Sequence, residues 1–208
     1  MARRPKPSGR TIRDKGRRLQ RRVVNTRTLR PTFLIVCEGK QTEPNYFRAF
    51  RVNAHVVILG LGAHSLGLVQ ETCALQVEGE YDQVWCVMDR DSWPAEHFNA
   101  ALEIGRAKGV RMAYSNQAFE VWYLLHYSYH DVATDRSDYG RLLARRLGRP
   151  YRKNDREMYS LLKVQQADAI RNATRLLDSY GSRHNPEQDN PCTTVHLLVQ
   201  ELTRHLRD

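Results

Sequence analysis

Four short apolar runs alternate with helical segments in the first 115 residues, and this alternation restricts the fold more than any other feature. The runs are Phe33–Cys37, His55–Leu59, Gln83–Met88 and Val110–Tyr114. Continuous runs of β-forming residues are typical of strands that are buried on both faces of a parallel sheet. Because helices are predicted between them, the order βαβαβαβ indicates an α/β fold with right-handed crossovers.

The remainder of the chain shows helical rather than strand-like spacing. The predicted helices there are Phe119–Tyr129, Tyr139–Leu147, Glu157–Tyr180 and Thr193–Leu206. A body of this length forms one domain. We therefore expect an α/β core over residues 31–115, a mostly parallel sheet flanked by helices, and a mainly helical extension over residues 116–208.

The positive charge is concentrated in a basic arm, residues 1–30. This arm holds 12 Lys or Arg residues and one acid, for a net charge of +11, whereas residues 31–208 hold 21 basic and 22 acidic residues, for a net charge of −1. We expect the arm to be disordered when free and to bind nucleic acid by counterion release. The arm residues with which we expect phosphate contact are Arg17, Arg18, Arg21 and Arg22. Alternatively, these arginines contact the body or a second subunit of a homo-oligomer.

Composition argues against a membrane or secreted protein. No segment approaches eighteen uninterrupted apolar residues, and the basic start is not followed by an apolar signal region. The four cysteines are widely spaced and form no Cys-x-x-Cys pair, so neither a zinc site nor a disulfide framework is expected. We expect reduced thiols in a cytoplasmic protein.

Carboxylates follow two of the predicted strands at the point where each strand ends. Glu38 comes directly after the first run, and Asp89 and Asp91 follow the third. The carboxyl ends of neighbouring strands meet at the crevice where open α/β sheets bind ligands. Acids that meet there repel one another unless a hard divalent cation lies between them. The sequence therefore predicts a Mg²⁺ (or Mn²⁺) site from the three acids together, although any one of them alone is better explained as a helix cap.

Three other residues have two interpretations each. Glu120 is either a fourth acid of the metal site or a solvated glutamate in the first turn of a helix. Glu43 either joins the site or faces solvent. His126 is either a packed histidine, which we favour, or a base.

Several cations are candidates for binding phosphate. They are Lys40, Arg90, Arg149, Arg152 and Lys153. Arg90 lies between two aspartates, so its alternative role is an ion pair that relieves their repulsion.

The acidic pattern resembles that of the TOPRIM domain, in which an acid and a glycine follow the first strand and Asp-x-Asp follows a later one. Here these are Glu38-Gly39 and Asp89-Arg90-Asp91. Three longer segments resemble the RloB-like family in their amino-acid sequence and in their order along the chain: EGKQTEPNYF (38–47), SNQAFEVWYLLH (115–126) and NPCTTVHLL (190–198).

The resemblance implies a function as well as a fold. It implies that Asp89 and Asp91 hold Mg²⁺, and that Glu38 joins the metal site or acts as general acid or base at the scissile phosphate. It further implies a nuclease effector of bacterial anti-phage defence, active in abortive infection on RNA or DNA, often encoded beside an ATPase of the ABC/AAA class. The alternatives are a primase-like nucleotidyl transferase and a non-catalytic nucleic-acid-binding partner of a defence ATPase.

Overall fold

The computed structural model describes residues 30–90 and 94–207, and within them the chain forms a five-stranded sheet. The strands are β1 (Thr32–Cys37), β2 (His55–Gly60), β3 (Gln83–Asp89), β4 (Arg111–Asn116) and β5 (Cys192–Thr193). Their order is β2-β1-β3-β4-β5, with the first four parallel and β5 antiparallel to β4. The predicted α/β fold with a mostly parallel sheet is confirmed.

Helices cover both faces of the sheet. They are α1 (Thr42–Arg48), α2 (Ser65–Glu78), α3 (Ala95–Ala107), α4 (Glu120–Leu125), α5 (Tyr139–Leu147), α6 (Met158–Leu162), α7 (Gln166–Tyr180) and α8 (Val195–Thr203). Side chains alternate between the two faces of a strand. Accordingly Leu34 of β1 packs in the layer of α2 and α3, whereas Phe33 packs in the layer that contains α1 and α4–α8.

The second half departs from the sequence prediction in two places. The single helix predicted over 157–180 is wrong, because a 3-10 turn at Lys163–Gln165 separates α6 from α7. The turn lets α6 contact α1 while α7 runs along α4. The helix predicted from Thr193 is also wrong at its start, where β5 extends the sheet.

Strand β5 is held by side chains as well as by the backbone. The Thr193 and Ser115 hydroxyl oxygens lie 3.0 Å apart, and the Tyr114 N–H donates to Thr194 Oγ1 at 2.9 Å. A two-residue strand shows no periodicity, so only its pairing with β4 reveals it.

Some predictions lie outside the described part of the chain. Residues 1–29 include Arg17, Arg18, Arg21 and Arg22, and residues 91–93 include Asp91, so the roles given to these residues stay predictions. Among the described residues, no helix is both long enough and apolar enough to cross a membrane.

Candidate functional site

Glu38 and Asp89 lie at the ends of the neighbouring parallel strands β1 and β3. Strands β1 and β3 pair in register up to Cys37 and Val87, and the Glu38 N–H then donates to Val87 O at 2.9 Å. Glu38 Oε2 in turn accepts a hydrogen bond of 3.0 Å from the Asp89 N–H. The sheet register therefore brings Glu38 and Asp89 together, as the strand-end pattern predicts.

Glu43 reaches back from α1 toward the same strand end. Its side chain is only 4% exposed, and Glu43 Oε1 accepts a hydrogen bond of 3.3 Å from the Gly39 N–H. A Cβ atom on residue 39 would clash with the Glu43 carboxylate. A side chain at position 39 would therefore displace the Glu43 carboxylate from this position, and Glu43 does not face solvent.

Glu120 begins α4, directly after β4 leaves the sheet. It is 7% exposed, and Glu120 Oε1 accepts a hydrogen bond of 2.9 Å from the Tyr151 hydroxyl. The interpretation of Glu120 as a solvated first-turn glutamate is therefore wrong. Tyr151 is engaged with this acid and with the Tyr123 ring.

These four acids share one open pocket of about 300 Å³, which we call the acidic pocket. Its lining residues are Glu38, Gly39, Lys40, Gln41, Thr42, Glu43, Asp89, Phe119, Glu120, Arg136, Lys153 and Asn154. The cations of the lining come from three separate segments, at Lys40, Arg136 and Lys153. The pocket thus combines carboxylates with positive charges that approach from different parts of the fold.

Asn154 joins two walls of the acidic pocket. Its backbone has a φ of 75°, a left-handed conformation that asparagine tolerates better than most residues. The Thr42 hydroxyl donates to Asn154 Oδ1 at 2.8 Å, and Asn45 Nδ2 donates to the Asn154 carbonyl at 3.2 Å. These contacts tie the loop that carries Lys153 to the first turns of α1.

Burial and mutual repulsion raise the pKa values of Glu38, Glu43 and Asp89. Burial, followed by the charge of Glu43, raises the pKa of Glu38 to about 7 against opposing effects of Asp89 N–H, Arg136 and Lys153. The pKa of Glu43 is raised by burial and by Glu120. The pKa of Asp89 is raised well above its ordinary value by burial, and then by Glu43, Glu120 and Glu38. The pocket thus brings together more carboxyl groups than its surroundings favour in the ionised form.

The donor chemistry suits a hard divalent cation. Asp89 Oδ1 is buried without a hydrogen-bond partner, and buried carboxylate oxygens are normally paired or bound to metal. Carboxylate oxygens are also the ligands that Mg²⁺ prefers. Within residues 30–90 and 94–207, however, no group of three or more His, Cys, Asp or Glu side chains forms a ready-made metal-binding arrangement. Asp91, the other predicted ligand, is outside that range.

The chain was compared with models of known protein families. A family model described as RloB-like protein matches residues 33–202, which include every strand and helix described above except the first residue of β1 and the last residue of α8. The chain belongs to the RloB-like family. No curated protein and no solved structure matches the chain.

The predicted phosphate-binding cations of this RloB-like protein that the structure describes fall into three groups. Lys40 and Lys153 are exposed at the acidic pocket. Arg90 instead forms an ion pair with Glu187 at 3.0 Å, and Arg149 pairs with Asp155 at 2.7 Å. Arg152 is exposed and does not line the acidic pocket.

His126 lies inside the helical layer of the RloB-like protein. It is buried against the Trp122 ring, and its Nδ1 lies 2.9 Å from the Trp122 carbonyl. Burial lowers the pKa of His126 to about 4. These contacts are those of a packed histidine, the interpretation that the sequence favoured.

Sequence reasoning missed Arg136, Asn154 and Glu187. Arg136 and Asn154 come from loops without periodicity, and Glu187 is far along the chain from its partner Arg90. An Asn between charged residues in a predicted turn is a weak signal of left-handed backbone at position 154. Nothing in the local sequence marks Arg136 or Glu187.

Proposed function

We propose that this RloB-like protein is a Mg²⁺-dependent nuclease that hydrolyses phosphodiester bonds of RNA or DNA. The observation that carries the proposal is the acidic pocket, where Glu38, Glu43, Asp89 and Glu120 meet with Asp89 Oδ1 buried and unpaired. So many carboxylates in one place cost stability unless a cation offsets their charge. The cations at the same pocket favour a substrate that carries phosphate.

The acids would have two roles, metal binding and proton transfer. Asp89 and Glu38, together with Asp91, would hold the metal, with Glu120 as a further ligand. A bound divalent cation supplies Lewis acidity toward a phosphoryl oxygen and lowers the pKa of a bound water. Alternatively, a Glu38 that does not bind the metal would take up or give up a proton near neutral pH, because its pKa is raised to about 7, mainly by burial.

The cations would position the substrate rather than react with it. Lys40 and Lys153 are exposed beside the carboxylates, and ammonium groups bind phosphate as compact charges. Arg136 lies close enough to Glu38 to lower the pKa of that acid. A phosphodiester held by these side chains would lie over the acids, which is the placement that phosphoryl transfer requires.

The experiment is a cleavage assay with a separate binding measurement. Full-length protein is incubated with tRNA, single-stranded DNA and duplex DNA, in Mg²⁺, Mn²⁺ or EDTA. We expect cleavage of at least one substrate, loss of cleavage in EDTA and in Asp89→Asn, and full activity in Glu157→Gln, which changes an exposed acid outside the pocket. Calorimetry of Mn²⁺ binding should show weaker binding in Asp89→Asn. Cleavage that survives both EDTA and Asp89→Asn would contradict the metal assignment.

The other functions have distinct results in the same assay. A nucleotidyl transferase would extend or join strands when nucleoside triphosphates are present, and a non-catalytic subunit would bind nucleic acid without cleaving it under any condition. The family resemblance supports an anti-phage role in the bacterial cytoplasm beside an ABC/AAA-type ATPase. Copurification of the two proteins tests that association.

A further inference from the structure

A second charged surface lies at the far end of α1 from the acidic pocket. It is a cleft of about 620 Å³, which we call the basic cleft, and its lining residues are Arg48, Ala49, Arg51, Tyr159, Ser160, Lys163, Leu206 and Arg207. Four of the eight are cations, and no acid lines the cleft in the described part of the chain. The basic cleft is therefore a local concentration of positive charge on a body whose net charge is −1.

Two of the four cations of the basic cleft are held in place by hydrogen bonds to backbone carbonyls, which do not neutralise their charge. Arg48 Nη2 donates to the Ile58 carbonyl at 3.1 Å, and Arg207 Nε donates to the Val52 carbonyl at 2.9 Å. The Arg207 N–H also donates to the Arg51 carbonyl at 2.9 Å, which brings the end of the chain beside Arg51. None of the four cations forms an ion pair within residues 30–90 and 94–207, whereas Arg141, Arg171 and Arg204 all do.

Two segments connect the basic cleft to the acidic pocket. Helix α1 begins in the pocket with Thr42 and ends in the cleft with Arg48, and its seven residues at about 1.5 Å each span about 10 Å. The chain from Lys153 to Lys163 also runs from the acidic pocket to the basic cleft. The two sites are therefore separated by about the length of one short helix.

The cleft also offers an aromatic surface beside its charges. Tyr159 is partly exposed in the lining, and its ring is supported from below by Phe50 at a centroid distance of 4.4 Å. Cations that follow a backbone, combined with an aromatic ring on which a base can stack, are the features of sites that bind single-stranded nucleic acid.

We propose that the basic cleft binds the phosphodiester backbone of a single nucleic-acid strand whose neighbouring nucleotides lie in the acidic pocket. The inference rests on the proposed function for the identity of the substrate. It adds that Arg51, Lys163 and their neighbours form the part of the binding surface that is separate from the reacting groups.

The test measures binding by the full chain without cleavage. A fluorescently labelled 30-nucleotide single strand is titrated in EDTA over a series of salt concentrations. The test variant is Arg51→Gln/Lys163→Gln, because neither side chain makes a hydrogen bond or ion pair in the described structure. The matched control is Arg106→Gln/Lys108→Gln, which removes one exposed Arg and one exposed Lys at the end of α3, on the opposite face of the sheet.

We expect the test variant to bind about tenfold more weakly at 0.1 M salt, with the slope of log K against log salt reduced by about 1.4, or 0.7 for each lost phosphate contact. The control should match the wild type. Equal losses in the two variants, or no loss in the test variant, would overturn the inference. If the double variant melts at a lower temperature, Lys163→Gln alone should still reduce the slope by about 0.7.

Cleavage distinguishes failure of this inference from failure of the proposed function. A wild-type protein that never cleaves, with binding that still depends on Arg51 and Lys163, disproves the nuclease but keeps the basic cleft as a nucleic-acid site. A wild-type protein that cleaves, with a test variant that binds and cleaves equally well, disproves the basic cleft alone.

Discussion

The acidic pocket and the loop of residues 184–190 differ in what surrounds their acidic side chains. In the acidic pocket four carboxylates lie together, three of them with raised pKa values, and one oxygen of Asp89 has no partner. Across the loop of residues 184–190, by contrast, Glu187 pairs with Arg90, and Asp189 lies 2.6 Å from His184. The acids of the loop lie beside cationic or basic side chains, whereas those of the acidic pocket lie beside one another, and clustered buried acids are a feature of functional sites.

The largest expected effect separates the two regions by activity. Glu120→Gln keeps the shape of the side chain but removes one of the clustered charges, so we expect cleavage to fall about 100-fold, equivalent to about 2.7 kcal/mol. The control is Glu201→Gln, at an acid that pairs with Arg204 at 2.7 Å outside the acidic pocket. Initial cleavage rates at saturating Mg²⁺ measure the difference. Similar rates in both variants would show that Glu120 is not part of the working site.

Substitution of an acid in the 184–190 loop should lower the stability of the protein rather than its activity. The Arg90–Glu187 pair is largely buried, with side chains 15% and 14% exposed, so Glu187→Gln should cost about 2 kcal/mol by leaving the guanidinium less well compensated. Glu157 lies 3.8 Å from Arg149 and is 77% exposed, so Glu157→Gln should cost less than about 0.5 kcal/mol. Urea denaturation measures both. Equal costs would mean that the buried pair does not stabilise the 184–190 loop.

The dependence of stability on pH should have opposite signs for the acidic pocket and for Glu201, a paired acid of α8. Glu38 has a folded pKa of about 7 against an ordinary value of 4.5, so between these values the folded state binds more protons than the unfolded state. Stability in EDTA should therefore fall as pH rises from 5 to 8, by at most about 1.4 kcal/mol per pH unit for one group. Melting temperatures of the wild type and Glu38→Gln measure this, with a shallower decline expected in the variant.

The paired acid Glu201 should make stability rise with pH, which is the opposite of the effect of Glu38. The Gln83 amide, with help from Arg204 and Arg111, lowers the pKa of Glu201, so its contribution to stability is lost as the pH falls through that lowered pKa. A wild-type protein whose metal-free stability rises steadily from pH 5 to pH 8 would contradict the reluctance of the pocket acids to ionise.

The smallest expected effect concerns the one hydrogen bond that holds Glu120. Tyr151→Phe removes the hydroxyl that donates to Glu120, and we expect a loss of about 1 kcal/mol. Tyr159→Phe is the matched control, because its hydroxyl forms no hydrogen bond in the described structure, and it should change stability by less than about 0.5 kcal/mol. Chemical denaturation at pH 7 measures both. Indistinguishable variants would show that Glu120 is held by packing alone.

The sequence predicts most of the sheet because its signals are local. Each parallel strand is a continuous apolar run, and the abrupt end of a run at Glu38 or Asp89 predicts which acids reach the edge of the sheet. Strand β5 escapes prediction because its two residues become a strand only by pairing with β4.

The cations are the least predictable part of the site. Lys153 and Arg149 lie four residues apart in one basic turn, yet Lys153 is exposed at the acidic pocket while Arg149 pairs with Asp155. Local sequence shows that both are charged but not which one meets an acid, because that depends on how the loop folds over α1. Arg136 is missed for the same reason.

The order of the segments around the acidic pocket has a consequence for a chain that is still being synthesised. Glu38, Glu43 and Asp89 leave the ribosome early, whereas Glu120 and then Lys153 and Asn154 follow only after β4. A nascent chain that stops at β4 has three of the acids but neither the fourth nor the loop that Asn154 ties to α1. The complete pocket can therefore form only on a chain of which at least residues 1–154 of 208 have been made.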